Sequence, residues 1–230
     1  MHAGSIPAEA STFPLPHDRH PPTALILVGA DGENMIAVVP GANGTLVRGD
    51  VVNADLRSGE LLLLQHEIPL AAVEAALDAA REVGAVSLLN TAPFVADAAR
   101  LLEKADYVIA NETEFDLYAE ALSLSGADRT ERMKSFAVRT GRTIVVTLGA
   151  EGVVAVTPEK SFAEKGLKIT PVDTVGAGDT FCGYFAAGLE AGLDIGTALK
   201  RAAAAGSLAC LKPGAQPAIP TAQEVDEKTA

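Results

Sequence analysis

Short apolar segments alternate with longer helix-compatible segments over residues 61–147, and this alternation constrains the fold more than any other feature of the chain. Runs such as Leu61-Leu-Leu-Leu-Gln65 and Thr143-Ile-Val-Val-Thr147 are typical of buried strands. Strands are predicted at 61–65, 86–90, 107–110 and 143–147, and helices at 69–83, 95–104, 112–122 and 129–140. Strands that are separated by helices pair in parallel through right-handed crossovers. An α/β fold with a mostly parallel sheet is therefore predicted.

Smaller elements are predicted outside this region: a hairpin over 23–39 with strands 24–28 and 35–39, antiparallel strands within 152–168, and helices over 176–191 and 195–211. The hairpin turn is placed at Asp31-Gly32 because this pair is typical of tight turns. Residues 1–22 contain five prolines together with His2, His17 and His20. We expect a mobile tail there, with solvated histidines rather than a metal site.

Small residues and a carboxylate meet at the predicted start of helix 176–191. Gly176, Ala177 and Gly178 leave backbone N–H groups uncovered, and the N-terminus of a helix attracts anions such as phosphate. Asp179 then has two interpretations. A carboxylate in the first turn commonly stabilises a helix N-terminus. Beside an anion site it also suits a base that takes a proton from an attacking hydroxyl.

Charge and cysteine content argue against several other functions. The formal net charge is −12, from 18 basic and 30 acidic residues, so no nucleic-acid partner is expected. Cys182 and Cys210 show no paired spacing, which predicts neither a disulfide framework nor a zinc site and favours a reducing, cytoplasmic location. We expect neither a signal peptide nor a membrane span, because no apolar run is long enough. The chain is compatible with a homodimer.

Polar residues follow several of the predicted strands. Glu67 comes just after the strand at 61–65, Asn90 ends the next strand, and Asn111 and Thr147 occupy equivalent places further along. In open α/β sheets, ligands bind beyond the carboxyl ends of the strands. These positions therefore predict one cleft, which Asp179 joins from its helix.

The segment Asp173-Thr-Val-Gly-Ala-Gly-Asp-Thr-Phe-Cys-Gly183 resembles the C-terminal signature of the phosphofructokinase-B family of ribokinase-like sugar kinases. The match is long and ordered, and so is more specific than an isolated Gly-x-Gly. The resemblance implies a three-layer α/β/α sandwich around a mostly parallel sheet. It also implies that Asp179 is the catalytic base and contacts the substrate. Gly176, Ala177 and Gly178 would form the anion hole, with Gly178 also contacting the nucleotide.

Two further segments match motifs that hold ATP and Mg²⁺ in this family. Asn111-Glu-Thr-Glu114 can be read as a helix capping box, and the resemblance implies that Asn111 binds nucleotide and Glu114 helps to hold Mg²⁺. Both interpretations can hold together. Residues 147–152 can be read as a glycine-rich turn. The resemblance implies instead a nucleotide loop that consists of Thr147, Leu148, Gly149, Ala150, Glu151 and Gly152.

The resemblance also implies a sugar ligand and a K⁺ site. Glu67, within Gln65-His-Glu-Ile-Pro69, matches the sugar-binding position, whereas His66 is interpreted as structural. Residues 212–220 resemble the C-terminal loop that completes a monovalent-cation site. The implied K⁺ residues are Asp173, Val175, Ala209, Lys212, Gly214 and Ala218. Two departures from the family pattern are Ala218, where serine is common, and Thr91, which replaces a proline in an Asn-Pro-Ala-Pro run.

The resemblance covers residues 23–225 and implies ATP-dependent phosphorylation of a sugar hydroxyl, with D-ribose converted to ribose 5-phosphate. The alternatives are a catalytically weak nucleotide-binding remnant or interaction protein, and a kinase for another sugar, sugar phosphate or nucleoside. No match to the family's N-terminal part is found, so we expect a shortened fold and an open strand edge near 61–65 that promotes self-association. The expected division is a tail (1–22) and a kinase domain (23–230), which contains a residual lid hairpin (23–45) and a nucleotide-binding core (61–225).

Overall fold

The computed structural model describes residues 23–28, 34–52 and 55–229. The predicted tail at 1–22 and the predicted turn at Asp31-Gly32 lie outside these residues. The strands are β1 (Thr23–Val28), β2 (Asn34–Val39), β3 (Leu61–Leu64), β4 (Val86–Asn90), β5 (Tyr107–Asn111), β6 (Thr143–Thr147), β7 (Val153–Val156) and β8 (Ser161–Glu164). The α-helices are α1 (Arg48–Val52), α2 (Leu70–Val83), α3 (Glu112–Ala121), α4 (Arg129–Thr140), α5 (Ala177–Glu190), α6 (Ile195–Ala209) and α7 (Ala222–Thr229).

The central sheet has six strands in the order β3-β4-β5-β6-β7-β8. Strands β3 to β6 are parallel, while β7 and β8 return antiparallel beside β6. The predicted mostly parallel α/β sheet is therefore confirmed. The predicted hairpin is present as a separate antiparallel pair, β1 and β2, in which Thr23 lies opposite Val39.

Alternating side chains of the sheet enter two different cores, and this makes the fold a three-layer sandwich. In β4, Leu89 packs into the core under α2, α3 and α4, whereas the adjacent Leu88 packs against α5 and α6. In β5, Val108 and Ile109 divide in the same way. Because successive side chains of a strand point to opposite faces, both faces of these buried strands must be covered by helices.

Strand β3 is less well covered than its neighbours. Within the described residues it pairs with β4 on one side and with no strand on the other. Leu63 is 42% exposed, although it lies in the middle of an apolar run. The expected open edge near 61–65 is thus present in the described sheet.

Turn and capping residues fix most helix boundaries close to the predicted ones. Helix α2 follows Pro69 and ends at Gly84, and α4 ends at Gly141; both glycines have left-handed φ angles, of 77° and 71°. The Asp128 carboxylate caps α4 by accepting a hydrogen bond from the Glu131 N–H. These local signals explain why the helix bounds could be predicted to within two residues.

One predicted helix is wrong, and two short helices were missed. Residues 95–104 contain a 3₁₀ segment, Ala96–Leu101, instead of an α-helix. The Val95 carbonyl accepts from both the Ala98 N–H (2.9 Å) and the Tyr118 hydroxyl (3.2 Å), and the first bond closes the tighter three-residue turn. The described α-helices without a sequence prediction are α1 and α7, which have five and eight residues. None of the helices in the described ranges is long and apolar enough to cross a membrane.

Candidate active site

A cavity of about 150 Å³ lies where three parallel strands end beside the N-terminus of α5. The strand ends contribute Asn90 from β4, Asn111 from β5 and Thr147 from β6. The remaining lining residues are Ala92, Ile109, Ala110, Glu114, Gly176, Gly178, Asp179, Phe181 and Cys182. The cleft that the polar strand ends predicted is therefore present, and Asp179 faces it from the helix.

The N-terminus of α5 is built as an open anion site. Gly176 is the N-cap, with φ of 77°, and no side chain caps the helix there. A Cβ on Gly176 would lie 3.0 Å from the Ala215 Cβ, so glycine is required by both its conformation and its packing. A Cβ on Gly178 would meet nothing within 4 Å. The Ala177 N–H donates to the Thr174 carbonyl at 3.3 Å, whereas the N–H groups of Gly176, Gly178 and Asp179 have no acceptor within the described residues and are available to an anion in the cavity.

Asp179 lies in the first turn of α5 and is exposed to the cavity. Its carboxylate has no hydrogen-bond partner within the described residues, although many other acidic side chains in the structure do. A carboxylate that is free, and placed beside unpaired N–H groups, is available to accept a proton from a bound hydroxyl. This geometry is compatible with the base interpretation, which stays a prediction, and also with a stabilising effect on the helix N-terminus.

Asn111 and Glu114 form the capping box that the sequence allowed. Asn111 Oδ1 accepts from the Glu114 N–H at 2.8 Å, and Glu114 Oε2 accepts from the Asn111 N–H at 3.0 Å. Glu114 Oε2 also accepts from the Thr91 hydroxyl at 3.1 Å. Glu114 Oε1 has no donor within the described residues, so half of this carboxylate remains free at the cavity wall.

This free oxygen fits a Mg²⁺ ion, which prefers oxygen ligands, keeps several waters and needs few protein carboxylates. No group of three or more His, Cys, Asp or Glu side chains in the described part of the chain is arranged to hold a metal alone. Glu114 would therefore act with phosphate oxygens and water rather than in an all-protein site.

The predicted nucleotide loop divides into two parts. Thr147 lines the cavity, and its hydroxyl donates to the Ala110 carbonyl at 3.5 Å. The rest of the predicted loop, 148–152, is absent from the described lining; Gly149–Glu151 form an exposed 3₁₀ turn. Gly152 has φ of 109°, and a Cβ there would lie 2.1 Å from the Glu164 carbonyl oxygen. Within the chain, Gly152 is thus required by the close approach of β8.

Glu67 lies outside the cavity lining. It is exposed in the loop after β3, and its N–H donates to the Gln65 side chain. The loop leaves the sheet at the same carboxyl end as Asn90, but none of its residues lines the cavity. The neighbouring His66 is buried, at 6% exposure.

The predicted cation residues are partly brought together by one carboxylate. Asp173 accepts from the Val175 N–H at 3.0 Å and from the Gly214 N–H at 2.8 Å, and so it ties two loops that are 41 positions apart. The N–H groups of Gly214 and Val175 lower the pKa of Asp173, which keeps it charged. Ala218 is buried in the same C-terminal loop, whereas Lys212 extends to Glu224 at 3.5 Å. Lys212 thus contributes at most through its backbone.

Two residues at the site had no role in the sequence prediction. Thr91 is fully buried, and its hydroxyl holds Glu114. The available signals were its position directly after Asn90 and its departure from the proline of the family pattern. Cys182 lines the cavity, and burial, followed by the charges of Asp179 and Glu114, raises the pKa of its thiol to about 12. Cys182 is therefore a protonated packing residue at neutral pH and is unsuited to act as a nucleophile.

Comparison with known proteins gives a consistent result. The model of the pfkB family of carbohydrate kinases matches residues 10–222. Ribokinase of Staphylococcus aureus is 33% identical over 207 residues, which cover 89% of this chain and 68% of that protein.

Solved structures agree with this match. The ribokinase of Cryptococcus neoformans, solved with ADP, superposes with a TM-score of 0.77 at 29% identity and covers 92% of this chain and 72% of that one. The ribokinase of Arabidopsis thaliana, solved with ribose and ATP, gives a TM-score of 0.75 at 27% identity, with 89% and 67% coverage. The chain therefore spans about two thirds of the length of these relatives.

Proposed function

The chain belongs to the pfkB family of carbohydrate kinases and is an ATP-dependent sugar kinase; we propose that its substrate is D-ribose and that the product is ribose 5-phosphate. One observation carries the proposal. The free carboxylate of Asp179 and the open N-terminus of α5 face a single cavity with Asn111, Thr147 and Glu114. This arrangement provides a base, an anion site and a place for nucleotide phosphates together. The choice of ribose is supported by the ribokinases among the relatives.

In the proposed reaction, Asp179 accepts the proton of the sugar hydroxyl as that oxygen attacks the γ-phosphorus of ATP. The bond from this phosphorus to the β,γ-bridging oxygen breaks, and ADP leaves with that oxygen. The N–H groups at Gly176, Ala177 and Gly178 stabilise the negative charge of the transferring phosphoryl group. The contribution of the protein is thus mainly positioning and electrostatic stabilisation.

The other residues hold the reactants. Asn111 and Thr147 orient the nucleotide from the ends of β5 and β6, and the loop 148–152 covers it from outside the cavity. Glu114 holds Mg²⁺, which supplies charge neutralisation for the phosphates when bound. Glu67 accepts hydrogen bonds from sugar hydroxyls at the cavity rim.

We also propose a K⁺ site at the loop that Asp173 organises. Its charged carboxylate and the carbonyl groups of Val175, Ala209, Lys212 and Gly214 offer oxygen ligands beside the N-terminus of α5. K⁺ bound there would fix the loop that ends at Gly176. Because Ala218 lacks a side-chain oxygen, we expect this site to be weaker than one with serine.

A panel of sugars, sugar phosphates and nucleosides, tested for ATP consumption and for phosphorylated product, decides between the candidate functions. We expect D-ribose to give the highest kcat/KM, and Asp179→Asn to abolish product formation while ATP still binds. A higher kcat/KM for a nucleoside or fructose phosphate would replace ribose as the substrate. ATP binding without any product across the panel would indicate a nucleotide-binding remnant.

A further inference from the structure

His66 lies at the junction between the proposed sugar-binding loop and the cavity wall. It follows β3, directly precedes Glu67, and is 6% exposed. Its backbone N–H donates to the Ala92 carbonyl at 3.0 Å. Ala92 itself lines the cavity. One short segment after β3 is therefore attached directly to the segment after β4.

The side chain strengthens this attachment. Nδ1 of His66 lies 3.2 Å from the Thr91 carbonyl oxygen and 3.3 Å from the Pro93 carbonyl oxygen. It also lies 3.2 Å from the Tyr118 hydroxyl. Carbonyl oxygens can only accept hydrogen bonds, so Nδ1 must carry the proton. The Nδ1–H group of His66 thus contacts both ends of the turn formed by residues 91–93.

The other ring nitrogen behaves differently. Nε2 is buried and has no hydrogen-bond partner within the described residues. With the proton on Nδ1, the neutral ring leaves Nε2 as a bare acceptor. Burial lowers the pKa of His66, against the opposing effects of the Pro93 and Thr91 carbonyls and of Glu114, and so keeps the ring neutral.

The contacts continue to the proposed Mg²⁺ residue. Thr91, whose carbonyl accepts from His66, donates its hydroxyl to Glu114 at 3.1 Å, and its N–H donates to the Ile109 carbonyl at 2.8 Å. Tyr118 holds the other end of the turn, because its hydroxyl accepts from the Val95 N–H at 3.0 Å. The turn after β4 is therefore fixed from β3, β5 and α3, and His66 supplies the connection to β3.

We propose that His66 is a positioning residue, which acts as a neutral Nδ1–H clamp and sets the place of Glu67 relative to the cavity that holds the phosphates. This inference rests on the proposed function, since it assumes that Glu67 binds the sugar. The clamp does not touch the reacting atoms. Its loss should therefore weaken sugar binding more than it affects nucleotide binding or the chemical step.

Three substitutions at His66 separate the clamp from simple packing. His66→Asn places an amide N–H near the position of Nδ1, His66→Gln places its amide near Nε2, and His66→Leu fills the space without any hydrogen bond. We expect His66→Asn to keep the KM for sugar within about twofold of wild type. The Gln and Leu variants should raise it by about tenfold, with a smaller change in kcat and in the KM for ATP.

A control variant accounts for general destabilisation. Phe136→Leu removes volume from the core at α4, a helix whose described residues form no hydrogen bond to residues 65–69 or 91–95. It should lower the melting temperature without a selective change in the KM for sugar. Wild-type sugar KM in His66→Leu, or equal losses in the Asn and Leu variants, would overturn the proposal.

Two measurements without substrate keep this test independent of the proposed function. Imidazole ¹⁵N shifts should show His66 neutral with the proton on Nδ1. Amide hydrogen exchange at residue 66 and at Val95 should accelerate in His66→Leu but not in His66→Asn. If the wild-type chain phosphorylates no sugar while these results are obtained, the function fails and the clamp stands. A proton on Nε2, or unchanged exchange in His66→Leu, would overturn the clamp itself.

Discussion

Glu114 and Asn111 cap each other across the first turn of α3 through hydrogen bonds of 3.0 and 2.8 Å. Only one oxygen of Glu114 takes part, because Oε2 accepts from both Asn111 and Thr91 while Oε1 has no donor among the described residues. The structural and the ligand-binding interpretations of this motif are thus compatible. The cap holds the carboxylate in place, and its second oxygen remains available at the cavity wall.

The first prediction separates these two roles of Glu114. Glu114→Gln keeps the capping geometry but removes the charge, so the free energy of unfolding should fall by only about 0.3–1 kcal/mol. The Mg²⁺ concentration for half-maximal activity should rise by about tenfold or more. Titration of activity with Mg²⁺ and chemical denaturation measure the two effects.

Glu112→Gln is the matched control for this prediction. Glu112 lies in the same first turn of α3, but it pairs with Arg129 at 2.7 Å instead of facing the cavity. Its substitution removes the same charge and should leave the Mg²⁺ requirement unchanged. Equal shifts in both variants would mean that net charge, rather than a ligand role, is responsible.

The second prediction concerns Asp179. Asp179→Asn should fold and bind ATP as the wild type does, because the carboxylate forms no hydrogen bond within the described structure. Phosphoryl transfer should fall by about 10²-fold or more, the usual contribution of a general base. Glu190→Gln, at the other end of α5, is the control and should keep full activity. Near wild-type turnover in Asp179→Asn would show that another group accepts the proton.

The third prediction contrasts two glycines at the start of α5. Gly176→Ala should destabilise the protein by about 1–2 kcal/mol, since φ is 77° and the new methyl group would lie 3.0 Å from the Ala215 Cβ. Gly178→Ala meets no atom within 4 Å and should be neutral or slightly stabilising. Its methyl group would nevertheless enter the anion site, so activity should fall.

Melting temperatures and kcat, measured on both glycine variants, check this contrast. We expect the two properties to separate in Gly178→Ala, which should lose activity at unchanged stability, whereas Gly176→Ala, at a residue that also lines the cavity, should lose both. Full activity in Gly178→Ala would place the transferring phosphoryl group elsewhere.

The sequence predicted the layers of the fold well, because the signals involved are local. Apolar runs such as 143–147, caps such as Asp128 and left-handed glycines such as Gly84 act on neighbouring residues. The 3₁₀ segment within 95–104, where an α-helix was predicted, depends instead on Tyr118 of α3. The Tyr118 hydroxyl accepts from the Val95 N–H and donates to the Val95 carbonyl. No pattern within 95–104 contains that information.

The clustering of the candidate site residues around one cavity could also be predicted, whereas their roles stay predictions. Asp179, Asn111, Glu114 and Thr147 lie on strand ends or a helix start, so topology alone brings them together. The contact between Thr91 and Glu114 joins the segment after β4 to helix α3 across 23 positions of the chain, and it was not predicted.

The fourth prediction tests the proposed K⁺ site at Ala218. Potassium should stimulate wild-type activity, and Ala218→Ser should strengthen the response. Ala218 is 1% exposed, so the new hydroxyl would be buried. Without a cation, this unpaired hydroxyl should cost about 1–3 kcal/mol of stability. The melting temperature of Ala218→Ser should therefore depend on K⁺ when K⁺ is compared with choline at equal ionic strength. Activity and melting temperature that are independent of K⁺ in both proteins would exclude the site.

The last prediction concerns the open edge of β3. Within the described sheet, only β4 pairs with this strand, and the Leu63 side chain is 42% exposed. Unpaired backbone groups beside an exposed apolar side chain promote strand-to-strand association, whereas lysine on an edge strand opposes it. We therefore expect the chain to self-associate with increasing concentration and Leu63→Lys to shift it toward monomer. Val138→Lys is the control, since Val138 on α4 is 70% exposed but belongs to no strand. Sedimentation velocity over a concentration series of all three proteins measures the effect. Equal suppression of self-association by both lysine substitutions would assign the effect to added charge. Unchanged self-association in Leu63→Lys would show that β3 is not the contact.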